Sequence, residues 1–132
     1  MKKINWGIIG LGHIANQFAN AFSVIDNAKI KGIASFDKDK LQSFKKRFNI
    51  EDKLCFDNYK DLILSPSIDI IYIALPNSLH AKYISECINQ KKNILVEKPA
   101  FINLKDLSFL KSELQKEKIF FTEAFMYRYL PY

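Results

Sequence analysis

Short apolar runs alternate with amphipathic stretches along the whole chain. Residues 4–10 (INWGIIG) form a strand pattern that ends on glycine. Ile14, Phe18 and Phe22 then recur at helical spacing. Residues 28–36 predict a second strand, and Leu41, Phe44 and Phe48 mark one face of a second helix. Residues 53–56 give a short third strand. A short helix follows over 58–64, with Asn58 placed to cap it. The run 67–75 (SIDIIYIAL) is long and continuous, which suits a central strand buried on both faces. The next helix turns Ala81, Ile84 and Ile88 inward. Residues 93–97 form the fifth strand. Asn103 caps a helix whose apolar side is expected to carry Leu104, Leu107 and Leu114. Residues 119–125 form the last strand.

Strand and helix alternate with short connections, which predicts an α/β fold. Right-handed crossovers turn that order into a doubly wound, mostly parallel sheet with helices on both faces. A chain of 132 residues fits one domain with a core of its own. No repeat or low-complexity linker divides it. The last residues are different in kind: Phe125, Met126, Tyr127, Tyr129 and Leu130 are too apolar to hang in solvent, and are expected to pack on a later segment or a partner.

Composition narrows the setting. Hydrophobic residues make up 48% of the chain, a globular value. The two cysteines, Cys55 and Cys87, lie far apart in apolar surroundings and are expected to be reduced core thiols. No apolar run approaches the roughly 20 residues that span a bilayer. The start, Met1-Lys2-Lys3, has the charge of a signal peptide without its apolar stretch or cleavage site. A cytoplasmic protein with no membrane contact is expected. The net charge of +6 comes from scattered lysines, such as Lys45-Lys46-Arg47 and Lys91-Lys92, which read as solvated faces. No basic stripe interleaves with aromatics, so no nucleic-acid partner is expected.

Two stretches carry chemistry. The first strand runs into Gly10-Leu11-Gly12-His13-Ile14-Ala15, a G-x-G-x-x-A turn at a strand-to-helix junction. Gly10 permits the tight turn, Gly12 lets a pyrophosphate approach the backbone, and Ala15 keeps the helix close to the sheet. The amides of His13 and Ile14 then face the phosphates at the positive end of the helix dipole. A tight turn in a ligand-free fold is the plain alternative. The second strand should end at the adenine ribose. There the chain reads Ser35-Phe36-Asp37-Lys38: Ser35 and Lys38 suit the 2′-phosphate of NADP, while Asp37 either reads the ribose of NAD or caps the next helix. The reading leans to NADP over NAD.

The second stretch is Glu97-Lys98-Pro99, two opposite charges and a proline at the end of a buried strand. A solvated ion pair with a turn is the simple reading. In an open α/β sheet, however, ligands sit at the carboxyl ends of strands, and a lysine there can exchange protons with a substrate hydroxyl. Pro99 holds the lysine out of the helical region and admits a cis bond.

Taken in order, the glycine turn, IALPNSLH (73–80), VEKP (96–99) and EAFMYR (123–128) resemble the N-terminal half of the glucose–fructose oxidoreductase / inositol dehydrogenase / MocA family, in the branch of dihydrodiol and xylose dehydrogenases. The resemblance covers essentially the whole chain. It implies a Rossmann domain over residues 1–122, with 123–132 beginning the connection to a second, absent domain. It also implies an NAD(P)-dependent oxidoreductase acting on sugars, polyols or diols. It places the loop Leu75-Pro76-Asn77 beside the cofactor and His80 toward the nicotinamide. Glu97 falls near the nicotinamide ribose, Lys98 at the substrate hydroxyl or carbonyl, and Arg128 near nicotinamide and substrate. That branch often has arginine where Phe36 stands. The absent domain would supply the substrate pocket, an aspartate and a histidine for the proton relay, and the surface through which members form homo-oligomers, so the isolated chain is expected to turn over little substrate. Two other readings stay open: a non-catalytic dinucleotide-binding sensor, and an interaction domain with a basic face for an acidic partner.

Overall fold

The computed structural model describes residues 2–131, without the Tyr127 side chain. That side chain, expected among the packed tail residues, lies outside the described residues.

Six strands form one sheet: β1 Ile4–Ile9, β2 Ala28–Ala34, β3 Cys55–Phe56, β4 Ile70–Ile73, β5 Asn93–Val96 and β6 Phe121–Glu123. Every pairing is parallel, and the order across the sheet is β3-β2-β1-β4-β5-β6. The chain thus winds outward from β1 in one direction and resumes at β4 in the other. Five helices connect the strands: α1 His13–Asn20, α2 Lys38–Phe48, α3 Tyr59–Leu64, α4 His80–Asn89 and α5 Leu104–Lys116. β6 ends one residue past the expected boundary at 122.

Register brings the strand ends level. Phe56, Ala34, Ile9, Ile73, Val96 and Glu123 are successive partners across the sheet. The residues that follow each strand therefore share one edge, and both chemical stretches of the sequence lie on it. β1 and β4 meet at the point where strand order reverses, which is where doubly wound sheets open a crevice.

Two apolar clusters hold the layers together. On one face, Ala15 and Ala19 of α1 and Leu41 and Phe44 of α2 pack on Ile8 and Ile33. On the other, α3, α4 and α5 cover Ile9, Ile71, Ile94 and Val96. Each fully buried isoleucine contributes about 1.5–3 kcal/mol. The expected caps form: Asp37, Asn58 and Asn103 each accept from first-turn amides of α2, α3 and α5.

Three expectations shift. The stripe Ile14, Phe18, Phe22 is not the buried face of α1. Only Ala15 and Ala19 are fully buried on α1; Phe18 is half-buried against Tyr72 and Trp6, Phe22 meets Trp6, and Ile14 is exposed. On α5 the buried pair is Leu110 and Leu114; Leu104, in the first turn, is 79% exposed and Leu107 lies at the rim. Lys92 is not solvated. It is buried, and its Nζ donates to Ser65 O and Ile68 O, both at 2.7 Å.

Lys92 thereby donates to the C-cap carbonyl of α3, where the helix dipole favours a cation, and to a carbonyl of the loop before β4. Burial pushes its pKa down, with Asp69 opposing that shift. Removing the ammonium relieves the desolvation but leaves the Ile68 carbonyl without a donor. The second effect should win, because the replacement also loses packing. Lys92→Ala is expected to cost about 2 kcal/mol in urea unfolding; a variant as stable as the wild type would show that the two effects cancel.

Candidate functional site

The glycine turn is built for two different reasons. Gly10 has φ +88°, and a Cβ placed on it would lie 2.3 Å from the Ala74 carbonyl oxygen. The fold itself requires this glycine. Gly12 is the N-cap of α1 with extended backbone, φ −84° and ψ −164°. A Cβ there would meet nothing within 4 Å. Neither strain nor packing explains Gly12, so the space above it is open to a ligand.

α1 differs from the helices capped by side chains. It has no side-chain cap and no acid in its first turn, whereas α2, α3 and α5 each have both. Its first amides, including those of His13 and Ile14, keep the dipole's positive end without a side-chain acceptor. Open space over Gly12 and an uncapped helix start together make an anion cradle of pyrophosphate type. The fit to a dinucleotide rests on that pair of observations.

At the tip of β2, Ser35 is buried and its Oγ accepts from the Asp37 amide at 3.1 Å. Asp37 Oδ1 accepts from the amides of Asp39 and Lys40, so the acid caps α2, one of the two roles open to it. Phe36 is 63% exposed and meets the Tyr59 ring edge-on at 4.7 Å. Lys38, the first residue of α2, is exposed.

After β4, Leu75 is buried while Pro76 and Asn77 are exposed on the shared edge. His80, expected toward the nicotinamide, opens α4. It is fully buried, with Nδ1 2.8 Å from Pro99 O and Nε2 2.8 Å from Leu75 O. Both nitrogens stand against backbone carbonyls, so the ring links the loop after β4 to the one after β5.

After β5, the Glu97 amide continues the ladder to Ile73 O, and Glu97 Oε1 accepts from the Tyr72 hydroxyl at 2.5 Å. Burial, together with the Glu97 carboxylate, pushes the Tyr72 phenol well above its ordinary range. It therefore stays protonated and donates. Lys98 and Pro99 are exposed, and the bond between them is cis. The next peptide is gripped again: the Ala100 amide donates to Glu123 Oε2 at 2.6 Å.

Beside this segment a cleft of 400 Å³ opens between α1 and the residues after β6. Phe18, Tyr72, Glu97, Lys98, Phe125 and Met126 are among its walls. Met126, Tyr129 and Leu130 remain largely exposed here. Arg128 does not line the cleft; its guanidinium sits 5.7 Å from the centroid of Phe125, which does. The edge thus gathers Gly10, Gly12, Ser35, Lys38, Pro76, Asn77, Glu97 and Lys98. Tyr72 and Glu123 join them from the structure alone. In the sequence Tyr72 is one apolar letter in a core strand, and only its hydroxyl among isoleucines signals a second task.

Both cysteines are free, and burial pushes both thiols up, most of all in Cys87; such thiols are poor nucleophiles. Among the described residues no cluster of three or more His, Cys, Asp or Glu side chains is placed to hold a metal, and no helix is long and apolar enough to cross a membrane.

Comparison with known proteins agrees with this geometry. A family model described as an oxidoreductase family with an NAD-binding Rossmann fold matches residues 4–125. The chain is 32% identical over 128 residues to trans-1,2-dihydrobenzene-1,2-diol dehydrogenase from Xenopus tropicalis, covering 96% of this chain and 38% of that protein. It is 34% identical over 132 residues to glucose-6-phosphate 3-dehydrogenase from Bacillus subtilis, covering 100% of this chain and 36% of that one. It spans under two fifths of the length of both relatives. Among solved structures, scyllo-inositol dehydrogenase from Lactobacillus casei with bound NAD(H) and scyllo-inositol superposes with a TM-score of 0.89 at 25% identity, over 98% of this chain and 38% of that one. A 3-ketoreductase from Actinomadura kijaniata in complex with TDP-benzene and NADP superposes with a TM-score of 0.90 at 27% identity, over 98% of this chain and 40% of that one. The glycine turn and the lysine-bearing strand end thus sit in a shared framework, and this chain belongs to the Gfo/Idh/MocA oxidoreductase family through its NAD-binding Rossmann fold.

Proposed function

We propose that the chain is the cofactor-binding part of an NAD(P)-dependent oxidoreductase acting on a CH–OH group of a sugar, polyol or diol, in the cytoplasm. The observation that carries this reading is the open space over Gly12 at an uncapped helix start, on the same sheet edge as Lys98. The amides of His13 and Ile14 bind the pyrophosphate. Leu75, Pro76 and Asn77 flank the middle of the dinucleotide. Glu97, held by Tyr72, orients the nicotinamide ribose, and Arg128 stands at the substrate side. Bound nicotinamide supplies the hydride acceptor or donor. Lys98 takes the proton from the substrate hydroxyl in oxidation and returns it to the carbonyl oxygen in reduction. An exposed lysine there favours an enzyme over a non-catalytic sensor, which has no use for a proton carrier.

Titration with NADPH or NADH, followed by Trp6 or cofactor fluorescence, tests the reading. Saturable binding is expected, with little turnover of simple sugars or diols by the 132-residue chain, since hydride transfer needs a substrate held in a near-attack pose. No response at millimolar cofactor would sink the dinucleotide reading and leave the basic interaction domain. A robust rate would overturn the expectation of low turnover.

For the choice of cofactor we favour NADP. Asp37 is engaged as a helix cap, and Ser35 and Lys38 offer a hydroxyl and a cation to a 2′-phosphate. Phe36 adds an exposed ring on which adenine can stack. Lys38→Ala is expected to weaken NADPH about 3- to 10-fold and to leave NADH nearly unchanged. Equal losses for both would argue against a 2′-phosphate contact.

A further inference from the structure

The peptide unit between Pro99 and Ala100 is held at both ends by side chains from distant elements. Its carbonyl oxygen lies 2.8 Å from Nδ1 of His80, which opens α4. Its N–H donates at 2.6 Å to Oε2 of Glu123, which ends β6. His80 is fully buried, and its other nitrogen lies 2.8 Å from the Leu75 carbonyl. Two residues before Pro99, Glu97 is fixed by Tyr72 and by the β4 ladder. The segment from Glu97 to Ala100 is therefore pinned before and after Lys98, while Lys98 itself is exposed toward the cleft.

We propose that His80 and Glu123 are positioning residues that act as one clamp on the Pro99–Ala100 peptide, and so set where Lys98 and the Leu75–Asn77 loop stand relative to the nicotinamide half of the dinucleotide. This rests on the oxidoreductase reading above. The chemistry suits the task. A carboxylate on the N–H end gives a short, charge-assisted bond. In the tautomer that carries its proton on Nδ1, His80 donates to the C=O end and polarises the same peptide in the same sense, and hydrogen bonds in such a chain strengthen each other. Neither side chain can be predicted from local pattern, because the contacts join residues 19 and 23 positions apart. The clamp governs only the nicotinamide side. The cradle for the pyrophosphate and adenosine lies on β1, α1 and the tip of β2, and shares no hydrogen bond with it.

That division supplies the test. Wild type, His80→Gln, Glu123→Gln and the double variant are titrated with NADPH and with 2′-phospho-ADP-ribose, which lacks the nicotinamide. Each single variant should lose about tenfold for NADPH, the equivalent of about 1.4 kcal/mol, and stay within about twofold of the wild type for 2′-phospho-ADP-ribose. The double variant should lose little more than either single, because both act through one peptide. A second readout needs no ligand: the Ala100 amide proton should resonate far downfield in the wild type and move upfield in both single variants. Parallel losses for both ligands, or fully additive effects, would reduce the pair to general stability and overturn the clamp. An unchanged ratio of the two affinities in well-folded variants would overturn it too. If a variant does not fold, the other single variant and the amide shift decide the matter. Wild-type protein that binds neither these ligands nor their counterparts NADH and ADP-ribose would instead sink the oxidoreductase reading itself, so the two failures are distinct.

Discussion

Gly10→Ala is expected to prevent stable folding. The added methyl would stand 2.3 Å from the Ala74 carbonyl oxygen and 2.8 Å from Leu75 Cδ2. The side chain could move, but the carbonyl belongs to the backbone after β4. Around it, Ala74 N–H donates to Ile9 O at 3.0 Å, and Gly10 N–H donates to Ala34 O at 3.2 Å. Relieving the overlap means separating the ends of β1 and β4, the central pair of the sheet, which breaks the Ala74–Ile9 bond and strains the Gly10–Ala34 bond to β2 on the other side. The positive φ adds roughly 1–2 kcal/mol for any L side chain. With that ladder bond and the local packing of Leu75 lost as well, the total reaches about 4 kcal/mol. That is a large part of the roughly 5–15 kcal/mol that holds a domain of this size. Far-UV circular dichroism and urea unfolding would report it. A midpoint within experimental error of the wild type would mean that β1 and β4 tolerate a shift the geometry forbids.

The contrast between local and tertiary information explains how much of this molecule the sequence displays. Strands are written in β-branched runs such as Ile70–Ile73, and caps in single polar letters before apolar periods, such as Asn58 and Asn103. Both are decided within a few residues, so both are legible. The glycine turn is legible for the same reason. The face of α1 is not. Its stripe of Ile14, Phe18 and Phe22 has core spacing, but proximity to the sheet at the glycine turn selects the alanines, and the larger side chains turn toward Trp6 and the cleft. Nor are the roles of His80, Lys92 and Glu123 legible. Each answers a backbone group 19 to 27 residues away, and no period or composition encodes that partner. In the site, the residues that would touch ligand sit in readable motifs. The residues that hold those motifs still appear only once the sheet is assembled.

Gly12→Val should do the opposite of Gly10→Ala: keep the fold and abolish dinucleotide binding. The backbone at Gly12 is extended, which valine adopts without strain, and a Cβ there meets no protein atom within 4 Å. Valine is a poorer N-cap than glycine, but α1 already lacks a side-chain cap, so the loss of stability should stay near or below about 1 kcal/mol. Binding is another matter. An isopropyl group over the first turn of α1 occupies the space a pyrophosphate needs to reach the amides of His13 and Ile14. Holding the phosphates farther off forfeits several charge-assisted hydrogen bonds, each worth about 1.5–3 kcal/mol. Losing only one of them weakens affinity about tenfold or more, and the full block should take binding below detection. Gly12→Ala should fall between, since one methyl crowds the approach without closing it. Urea unfolding and NADPH titration on the same samples separate the two effects. Near-wild-type affinity in Gly12→Val would show that the open space over Gly12 is not where the phosphates lie, and an unfolded Gly12→Val would show that the glycine serves the fold after all.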